Sequence, residues 1–240
     1  MGEEAAKYKL GLIVGVPFEK LKTWDTARPV CPEWALTLCH LVYPTGLNHT
    51  LMAVAGKRID EARNEIVEKA VEWGVPAVFF LDDDVIVPAT TLLHLYPLLM
   101  ADEDIIAVGG IYPPKREPTE PMAYRSLSQG PAYDMKWGEI FDVEGLATGC
   151  MLVKTALFKN IPKPWFKTVK DAGQDENGMI YTRAMSDDLY FCKKAKEAGF
   201  RIIAHAGILC GHADAVNHRI YNLDQYRPKK SAASPSSSES

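Results

Sequence analysis

The 240-residue chain has no long apolar run and no excess of basic residues. Since roughly 18 to 20 consecutive apolar residues are needed to cross a bilayer, we expect no membrane insertion. The N-terminal segment has no basic region before its short apolar run, which is more typical of a first strand than of a signal peptide. With a net charge of −4, the chain also has no overall positive field to attract nucleic acid or a membrane surface.

Paired cysteine motifs are also missing. The five cysteines are odd in number and form no Cys-x-x-Cys pair. This usage favours free, mostly buried thiols in a reducing compartment, and therefore a cytoplasmic location. A zinc site built from Cys192, Cys210 and His212 is conceivable, but its spacing matches no common zinc motif.

What the chain does contain is ordinary for a globular protein. Its hydrophobic fraction of 47% and charged fraction of 24% allow a sizeable core. The final stretch "SAASPSSSES" has no apolar residue except alanine and is predicted to be disordered. We therefore predict one domain over residues 1–225 and a disordered serine-rich tail over residues 226–240. The sequence does not predict an oligomeric state.

Apolar strands alternate with helices along the first half of the chain. The patterns predict strands within 9–17, 47–56, 77–81 and 104–112, and helices near 34–41 and over 58–74 and 90–100. Continuous apolar strands alternating with helices indicate an α/β fold with a mainly parallel, Rossmann-like sheet that has helices on both faces. Ligands of such sheets bind beyond the carboxyl ends of the strands.

An acidic triplet stands at one of these strand ends. In "AVFFLDDDVIVP", Asp82, Asp83 and Asp84 follow a predicted buried strand. Carboxylates that leave water are costly, and adjacent ones raise each other's pKa. The triplet therefore suggests a bound Mn²⁺ or Mg²⁺ that bridges a carboxylate and a nucleotide diphosphate. The alternative is a solvated loop in which one aspartate caps the next helix.

Three later motifs contain residues suited to the same chemistry. Asp187 and Asp188 open a helix, where Ser186 as N-cap explains them fully, although one carboxylate there could act as a general base. Gly149 allows the backbone to approach a ligand closely, or simply forms a turn. His212 follows an apolar run and would suit manganese, although a lone histidine is more often structural.

Other candidates are weaker. Arg63 is expected opposite the apolar face of its helix, either solvated or reaching a phosphate or uracil. Tyr112 and Lys115 leave a strand at the binding edge and could contact the diphosphate. Trp137 and Trp165 could stack on a sugar, although buried tryptophans are commoner.

The order of these motifs resembles the GT-A fold of nucleotide-sugar-dependent glycosyltransferases, in its family 2-like branch. The stretch "IDEARNEIVEKAVEWGVPAVFFLDDDVIVP" is similar to that family's helix, strand and metal motif, and "GLATGCMLVKTALF" to its glycine-containing loop. "SDDLYFCKKAKEAGF" is similar to its xED motif, with Asp187 where glutamate is usual. The resemblance covers residues 9–215, and "GVPFEK" departs from the usual end of the first strand.

The resemblance implies a metal-dependent enzyme that transfers a sugar from a nucleoside diphosphate, with UDP favoured, to an acceptor hydroxyl. Asp82 and Asp83 would then bind the nucleotide, and Asp84 and His212, together with Asp82, would bind Mn²⁺ or Mg²⁺. The pair Asp187–Asp188 would be catalytic, with Asp188 as the general base of an inverting displacement. The acceptor could be a glycan, a small molecule or a modified nucleobase.

Three other functions are compatible with parts of the pattern. A nucleotidyltransferase of similar topology would need an early glycine-rich, lysine-containing loop, which "GVPFEKLK" replaces poorly. A haloacid-dehalogenase-type phosphatase also uses an Asp-x-Asp motif, but usually at the end of its first strand. A module that binds nucleotide or glycan without turnover is the non-catalytic alternative.

Overall fold

The computed structural model describes residues 9–19, 30–174 and 180–228. Its helices and strands alternate through most of the chain. In chain order they are β1 (Leu12–Glu19), α1 (Pro32–His40), β2 (His49–Lys57), α2 (Ile59–Glu72), β3 (Ala77–Leu81), β4 (Val85–Ile86), α3 (Thr91–Met100), β5 (Ile105–Ile111), β6 (Ala123–Tyr124), β7 (Ile140–Asp142), β8 (Gly145–Leu146), β9 (Cys150–Lys154), α4 (Leu157–Asn160), β10 (Val169–Gln174), β11 (Ile180–Met185), α5 (Asp187–Glu197), β12 (Arg201–Leu209), β13 (Gly211–Asp214), β14 (Arg219–Tyr221) and a short 3-10 helix (Asp224–Tyr226).

A seven-stranded sheet with the order β2-β1-β3-β9-β5-β12-β7 forms the centre of the fold. β1 pairs in parallel with β2 and β3, and β12 pairs in parallel with β5. β9 is antiparallel to both β3 and β5, and β7 is antiparallel to β12. Five of the seven strands therefore share one direction, which confirms the predicted mainly parallel sheet. The insertion of antiparallel β9 at its centre was not predicted.

Helices cover both faces of this sheet. Successive side chains of β3 point to opposite faces, so Phe80 packs in the cluster that includes Ile66 of α2 and Phe191 of α5. Phe79 packs in the other cluster, with Leu95 of α3 and residues of α1. Both phenylalanines are fully buried. The predicted single α/β domain with helices on both faces is confirmed.

Helix α2 agrees with the predicted helix in extent but not entirely in its buried face. Ala62, Ile66 and Ala70 are buried as expected. Arg63 was expected opposite the apolar face, either solvated or reaching a ligand. The predicted position was wrong, because Arg63 is only 3% exposed. Positions 63, 66, 67 and 70 are related by the i, i+3, i+4, i+7 spacing of one helix face, so the geometry of the helix places Arg63 among its buried residues.

The C-terminal part of the described chain remains attached to the core. Tyr226 packs against the core cluster, and Arg227 donates a hydrogen bond to the carbonyl of Leu209 at 3.1 Å. Most of the predicted tail lies outside the described residues, so the division at residue 226 stays a prediction. All five cysteines are free thiols, and four of them are buried. In the segments that the structure describes, each helix is too short or too polar to span a bilayer.

Candidate active site

A small antiparallel sheet brings His212 next to the acidic triplet. β4, which follows the aspartates directly, pairs with β13, so that His212 lies opposite Val85. The N–H of Ala213 also donates to the carbonyl of Asp84 at 2.7 Å. This pairing leaves Nε2 of His212 at 3.4 Å from Oδ1 of Asp84. Two of the predicted metal ligands are therefore adjacent, although they come from distant parts of the sequence.

The other nitrogen of His212 fixes the orientation of the ring. Nδ1 lies 2.7 Å from the carbonyl oxygen of Pro113, and since a carbonyl only accepts, Nδ1 must carry the hydrogen. Nε2 therefore faces Asp84, where a protonated imidazole donates to the carboxylate and a neutral one has a lone pair available for a metal. The ring also packs edge-on against Tyr112, with centroids 5.1 Å apart. A histidine whose second nitrogen donates to a carbonyl is typical of metal-binding sites.

A lysine already lies against the same carboxylate. Nζ of Lys115 is 2.5 Å from Oδ2 of Asp84. Burial by itself would raise the pKa of Asp84, but the hydrogen bonds and charges of His212 and Lys115 outweigh burial and hold that pKa well below its usual range. Asp84 is thus strongly held in its ionised form. Asp83, the middle residue of the triplet, is half-buried in the turn between β3 and β4.

The guanidinium of Arg63 connects the two acidic motifs. Nη2 donates to both carboxylate oxygens of Asp82 at 2.8 Å, and Nη1 donates to Oδ2 of Asp187 at 2.5 Å. Burial lowers the pKa of Arg63, but the charges of Asp82 and Asp187 more than offset this and raise it. The pKa of Asp82 is also raised, because the effect of burial is larger than the opposing effect of the Arg63 charge. Sequence reasoning identified all three residues but missed that they bind one another.

Gly149 packs against this cluster through its backbone. Its carbonyl accepts the N–H of Asp82 at 3.1 Å, and its own N–H donates to the hydroxyl of buried Tyr112 at 2.9 Å. A Cβ at position 149 would lie 2.5 Å from that hydroxyl and 2.8 Å from both Oδ2 of Asp82 and Cγ2 of Val85. Trp34 of α1 also holds the backbone of Asp82 in place, because its indole N–H donates to the carbonyl of Asp82 at 2.7 Å. Position 149 needs glycine because the neighbouring side chains lie too close to its backbone to leave room for a Cβ.

Asp187 and Asp188, the acidic pair that opens α5, have different environments. Asp187 is buried against Arg63, whereas Asp188 is half-exposed in the first turn of α5. Oδ1 of Asp188 accepts the N–H of Leu189 at 2.8 Å and the hydroxyl of Ser186. Burial raises the pKa of Asp188, although the charge of Arg63 and the bond from Ser186 oppose the rise. Asp188 is therefore the better placed of the two to receive a proton.

Asn64, next to Arg63, has a structural role that sequence reasoning missed. Its side-chain oxygen accepts the N–H groups of Trp165 and Phe166 at 3.0 and 3.2 Å, and its amide nitrogen donates to the carbonyl of Phe166 at 2.8 Å. Asp60, one turn earlier, accepts the N–H of Thr168 at 3.0 Å. Helix α2 therefore fixes the segment that leads into β10. The available signal was an asparagine in the interior of a helix, a position where its side chain is unfavourable unless it has a specific partner.

The two tryptophans considered for sugar stacking differ in exposure. Trp165 is buried, and its indole N–H donates to the carbonyls of Phe158 and Ile161 at 3.2 and 3.1 Å. The stacking interpretation was wrong for this residue, which belongs to the core. Trp137 is 43% exposed, and the guanidinium of Arg227 lies 5.9 Å from its ring centroid.

The fit of a divalent metal depends on the Asp84–His212 pair. Among the residues that the structure describes, no three His, Cys, Asp or Glu side chains are grouped as a metal site, which supports neither the zinc site with Cys192 and Cys210 nor the full predicted set of Asp82, Asp84 and His212. A pair of protein ligands still suits Mg²⁺ or Mn²⁺, because such ions usually keep waters and bind substrate phosphates besides one or two carboxylates. Nε2 of His212 lies 3.4 Å from Oδ1 of Asp84, close enough for both atoms to bind one ion when the imidazole is neutral.

Comparisons with known proteins support the fold. No family model and no curated protein sequence matches the chain. The crystal structure of A197 from STIV superposes with a TM-score of 0.58 at 15% identity, over 93% of this chain and 99% of that one. GalNAc-T7 with UDP, GalNAc and Mn²⁺ superposes with a TM-score of 0.48 at 12% identity, over 85% of this chain and 44% of that one. The first similarity concerns the fold alone.

Proposed function

We propose that the chain is a GT-A-type glycosyltransferase that transfers a sugar from a nucleoside diphosphate to an acceptor hydroxyl. The observation that supports this most directly is the 3.4 Å approach of His212 Nε2 to Asp84 Oδ1 beside the carboxyl end of β3. Ligands of mainly parallel sheets bind at this edge. The acidic pair that opens α5 is joined to the same edge through Arg63, as a transferase that brings donor and acceptor together would require.

The donor would bind on the side of Asp84. Asp84 and His212 would hold Mn²⁺ or Mg²⁺, and the diphosphate would complete the coordination. When bound, the ion would neutralise charge on the departing nucleoside diphosphate. Asp82 is bonded through both oxygens to Arg63, so we assign it to shaping the nucleotide site. UDP is the favoured nucleotide because it is common in the family that the motifs resemble.

The acceptor would bind on the side of Asp188. Ser186 and Leu189 both donate to its Oδ1, so we assign proton acceptance to Oδ2. Asp187, which is held by Arg63, would position the start of α5 and keep the neighbouring carboxylate in place. Removal of the hydroxyl proton by Asp188 would make the acceptor oxygen a stronger nucleophile for an in-line displacement with inversion.

The phosphatase alternative fits the geometry poorly. Its nucleophile would be Asp82, but both carboxylate oxygens of Asp82 accept hydrogen bonds from Arg63, which reduces their nucleophilicity. The second acidic pair of that family would end a strand, whereas Asp187 and Asp188 open α5. A nucleotidyltransferase and a non-catalytic binding module remain as distinct outcomes of the test below.

The test is a calorimetric titration of UDP and GDP into the purified protein, with and without Mn²⁺. We expect one nucleotide to bind in a metal-dependent manner, and Asp84→Asn or His212→Gln to weaken that binding at least about tenfold through loss of a metal ligand. Asp224→Asn, a change at an exposed carboxylate, is the matched control and should bind as the wild type does. If neither nucleotide binds under any metal condition, the proposal fails.

A second readout separates the remaining alternatives. A transferase should slowly hydrolyse its nucleotide-sugar donor when the metal is present, and this can be followed by release of the nucleoside diphosphate. A binding module should release none. A nucleotidyltransferase would instead release pyrophosphate from a nucleoside triphosphate in the presence of a sugar phosphate.

A further inference from the structure

The segment Tyr112–Lys115, which follows β5, contacts the candidate metal site at three points. The hydroxyl of Tyr112 accepts the N–H of Gly149, and the carbonyl of Pro113 accepts Nδ1–H of His212. Lys115 then places Nζ at 2.5 Å from Oδ2 of Asp84. The position of the lysine is therefore set by the same segment that orients the histidine.

The ammonium of Lys115 lies where a metal would have to share the carboxylate. The side chains of Lys115 and Asp84 are 26% and 13% exposed, so solvent screens their interaction only in part. A lysine ammonium is a compact charge that donates hydrogen bonds and cannot bind a metal while protonated. A divalent ion bound by Asp84 and His212 would lie close to this charge and be repelled by it. Arg63, the other cation of the cluster, is bonded to Asp82 and Asp187 instead.

We propose that Lys115 is a built-in counter-cation of Asp84 that a divalent metal must displace, so that this lysine limits the metal affinity of the Asp84–His212 pair. The inference rests on the metal site of the proposed function and adds to it a residue that controls metal entry. A diphosphate would favour the exchange, since its oxygens attract both the entering metal and the displaced ammonium.

The test measures Mn²⁺ binding to the metal-free, full-length protein without nucleotide, from the spin-resonance signal of free Mn²⁺ and by calorimetry. Lys115→Met removes the charge and keeps the length of the side chain, and we expect it to bind Mn²⁺ about tenfold more tightly or better, because repulsion by a nearby unit charge is lost. Lys115→Arg keeps a cation and should remain close to the wild type.

Two further variants test whether the gain in Mn²⁺ affinity arises at the Asp84–His212 pair. Arg116→Met removes an exposed neighbouring cation that pairs with Glu120, and it should leave Mn²⁺ affinity unchanged. The double variant Lys115→Met with His212→Gln should bind Mn²⁺ more weakly than Lys115→Met, because it lacks one of the two proposed metal ligands. Mn²⁺ binding by Lys115→Met that equals or falls below that of the wild type, or no Mn²⁺ binding by either protein, would overturn the inference.

The nucleotide titration distinguishes this inference from the proposed function. If Lys115→Met binds Mn²⁺ more tightly but neither UDP nor GDP binds, the proposed function fails and the counter-cation role stands. If a nucleotide binds with Mn²⁺ but Mn²⁺ affinity is unchanged in Lys115→Met, the proposed function stands and the counter-cation role fails. When both hold, the diphosphate should strengthen Mn²⁺ binding more in the wild type than in Lys115→Met.

Discussion

Arg63 and Asp187 are 124 positions apart in the chain, yet Nη1 of the arginine lies 2.5 Å from Oδ2 of the aspartate. The same guanidinium binds both oxygens of Asp82. One buried arginine therefore joins the end of β3 to the start of α5, the two places where the acidic motifs occur. Together with Lys115 at Asp84, it shows that cations of the chain itself compensate much of the acidic cluster.

Arg63→Met should strongly destabilise the protein. The substitution leaves buried Asp187 and partly buried Asp82 without their shared counter-charge, and breaking a buried ion pair in this way costs about 3 to 5 kcal/mol. Urea unfolding, followed by circular dichroism, measures the change in free energy of unfolding. Lys69→Met is the matched control, since Lys69 lies on the same helix in an exposed pair with Glu72, and it should leave stability nearly unchanged.

Removing the acids as well should restore part of that loss. In the triple variant Arg63→Met, Asp82→Asn and Asp187→Asn, no uncompensated charge remains at these positions, so we expect it to be more stable than Arg63→Met alone. A loss below about 1 kcal/mol in Arg63→Met, which is the range of exposed pairs, would show that the arginine does not hold the two motifs together.

Gly149→Ala should impair nucleotide binding more than the addition of one methyl group suggests. The added Cβ would lie 2.5 Å from the hydroxyl of Tyr112 and 2.8 Å from Asp82 Oδ2, so the loop must shift away from the site. We expect at least about a tenfold loss of nucleotide affinity, since closely packed positions tolerate added volume poorly. The measurement is the calorimetric titration with Mn²⁺.

The double variant Gly149→Ala with Tyr112→Phe tests the cause of that loss. Phenylalanine removes the hydroxyl that meets the new Cβ, so part of the affinity should return even though the bond from the N–H of Gly149 is lost. Equal affinities for Gly149→Ala with and without Tyr112→Phe would argue against this contact and leave Asp82 and Val85, both 2.8 Å from the added Cβ, as the groups that are displaced.

Asn64→Ala should loosen the segment that leads into β10. The change leaves the N–H groups of Trp165 and Phe166 without their acceptor, and an unsatisfied buried donor costs about 1 to 3 kcal/mol. The free energy of unfolding and hydrogen exchange at these two amides measure the effect. Asn160→Ala, at an exposed position with one long 3.4 Å bond, should change neither quantity.

The strands and helices that flank the site followed from local sequence patterns. β3, α2 and α5 occur where apolar runs, helical periodicity and the Ser186 cap predicted them. The antiparallel insertion of β9 between β3 and β5 was not predicted, because strand order depends on contacts between distant segments.

The hydrogen bonds and ion pairs within the candidate site were harder to predict than the residues that form it. Helical spacing alone places Arg63 with the buried residues Ile66 and Ala70, but arginine is rarely buried unless it is paired. Its partners, Asp82 and Asp187, become neighbours only after the sheet has formed. The contact between Lys115 and Asp84 likewise depends on where the segment after β5 lies in the folded chain.

The pH dependence of transfer should identify Asp188 as the base. A base acts in its ionised form, so kcat/KM should rise with pH through the pKa of Asp188 and then level off. Burial raises the pKa of Asp188, which places the acid limb of the profile above the ordinary aspartate range. The measurement is kcat/KM for donor and acceptor between about pH 4 and 8, a window that spans the ordinary aspartate pKa near 3.9 and a raised one.

Asp188→Asn separates a catalytic role from a structural one. The amide can still accept hydrogen bonds at the start of α5 but cannot take a proton at working pH, so kcat should fall about 10²- to 10⁴-fold while nucleotide affinity and unfolding midpoint stay close to the wild type. The acid limb should disappear from the residual activity. If Asp188→Asn keeps its rate, or loses rate and nucleotide affinity together, the residue supports the fold of the site and another group removes the proton.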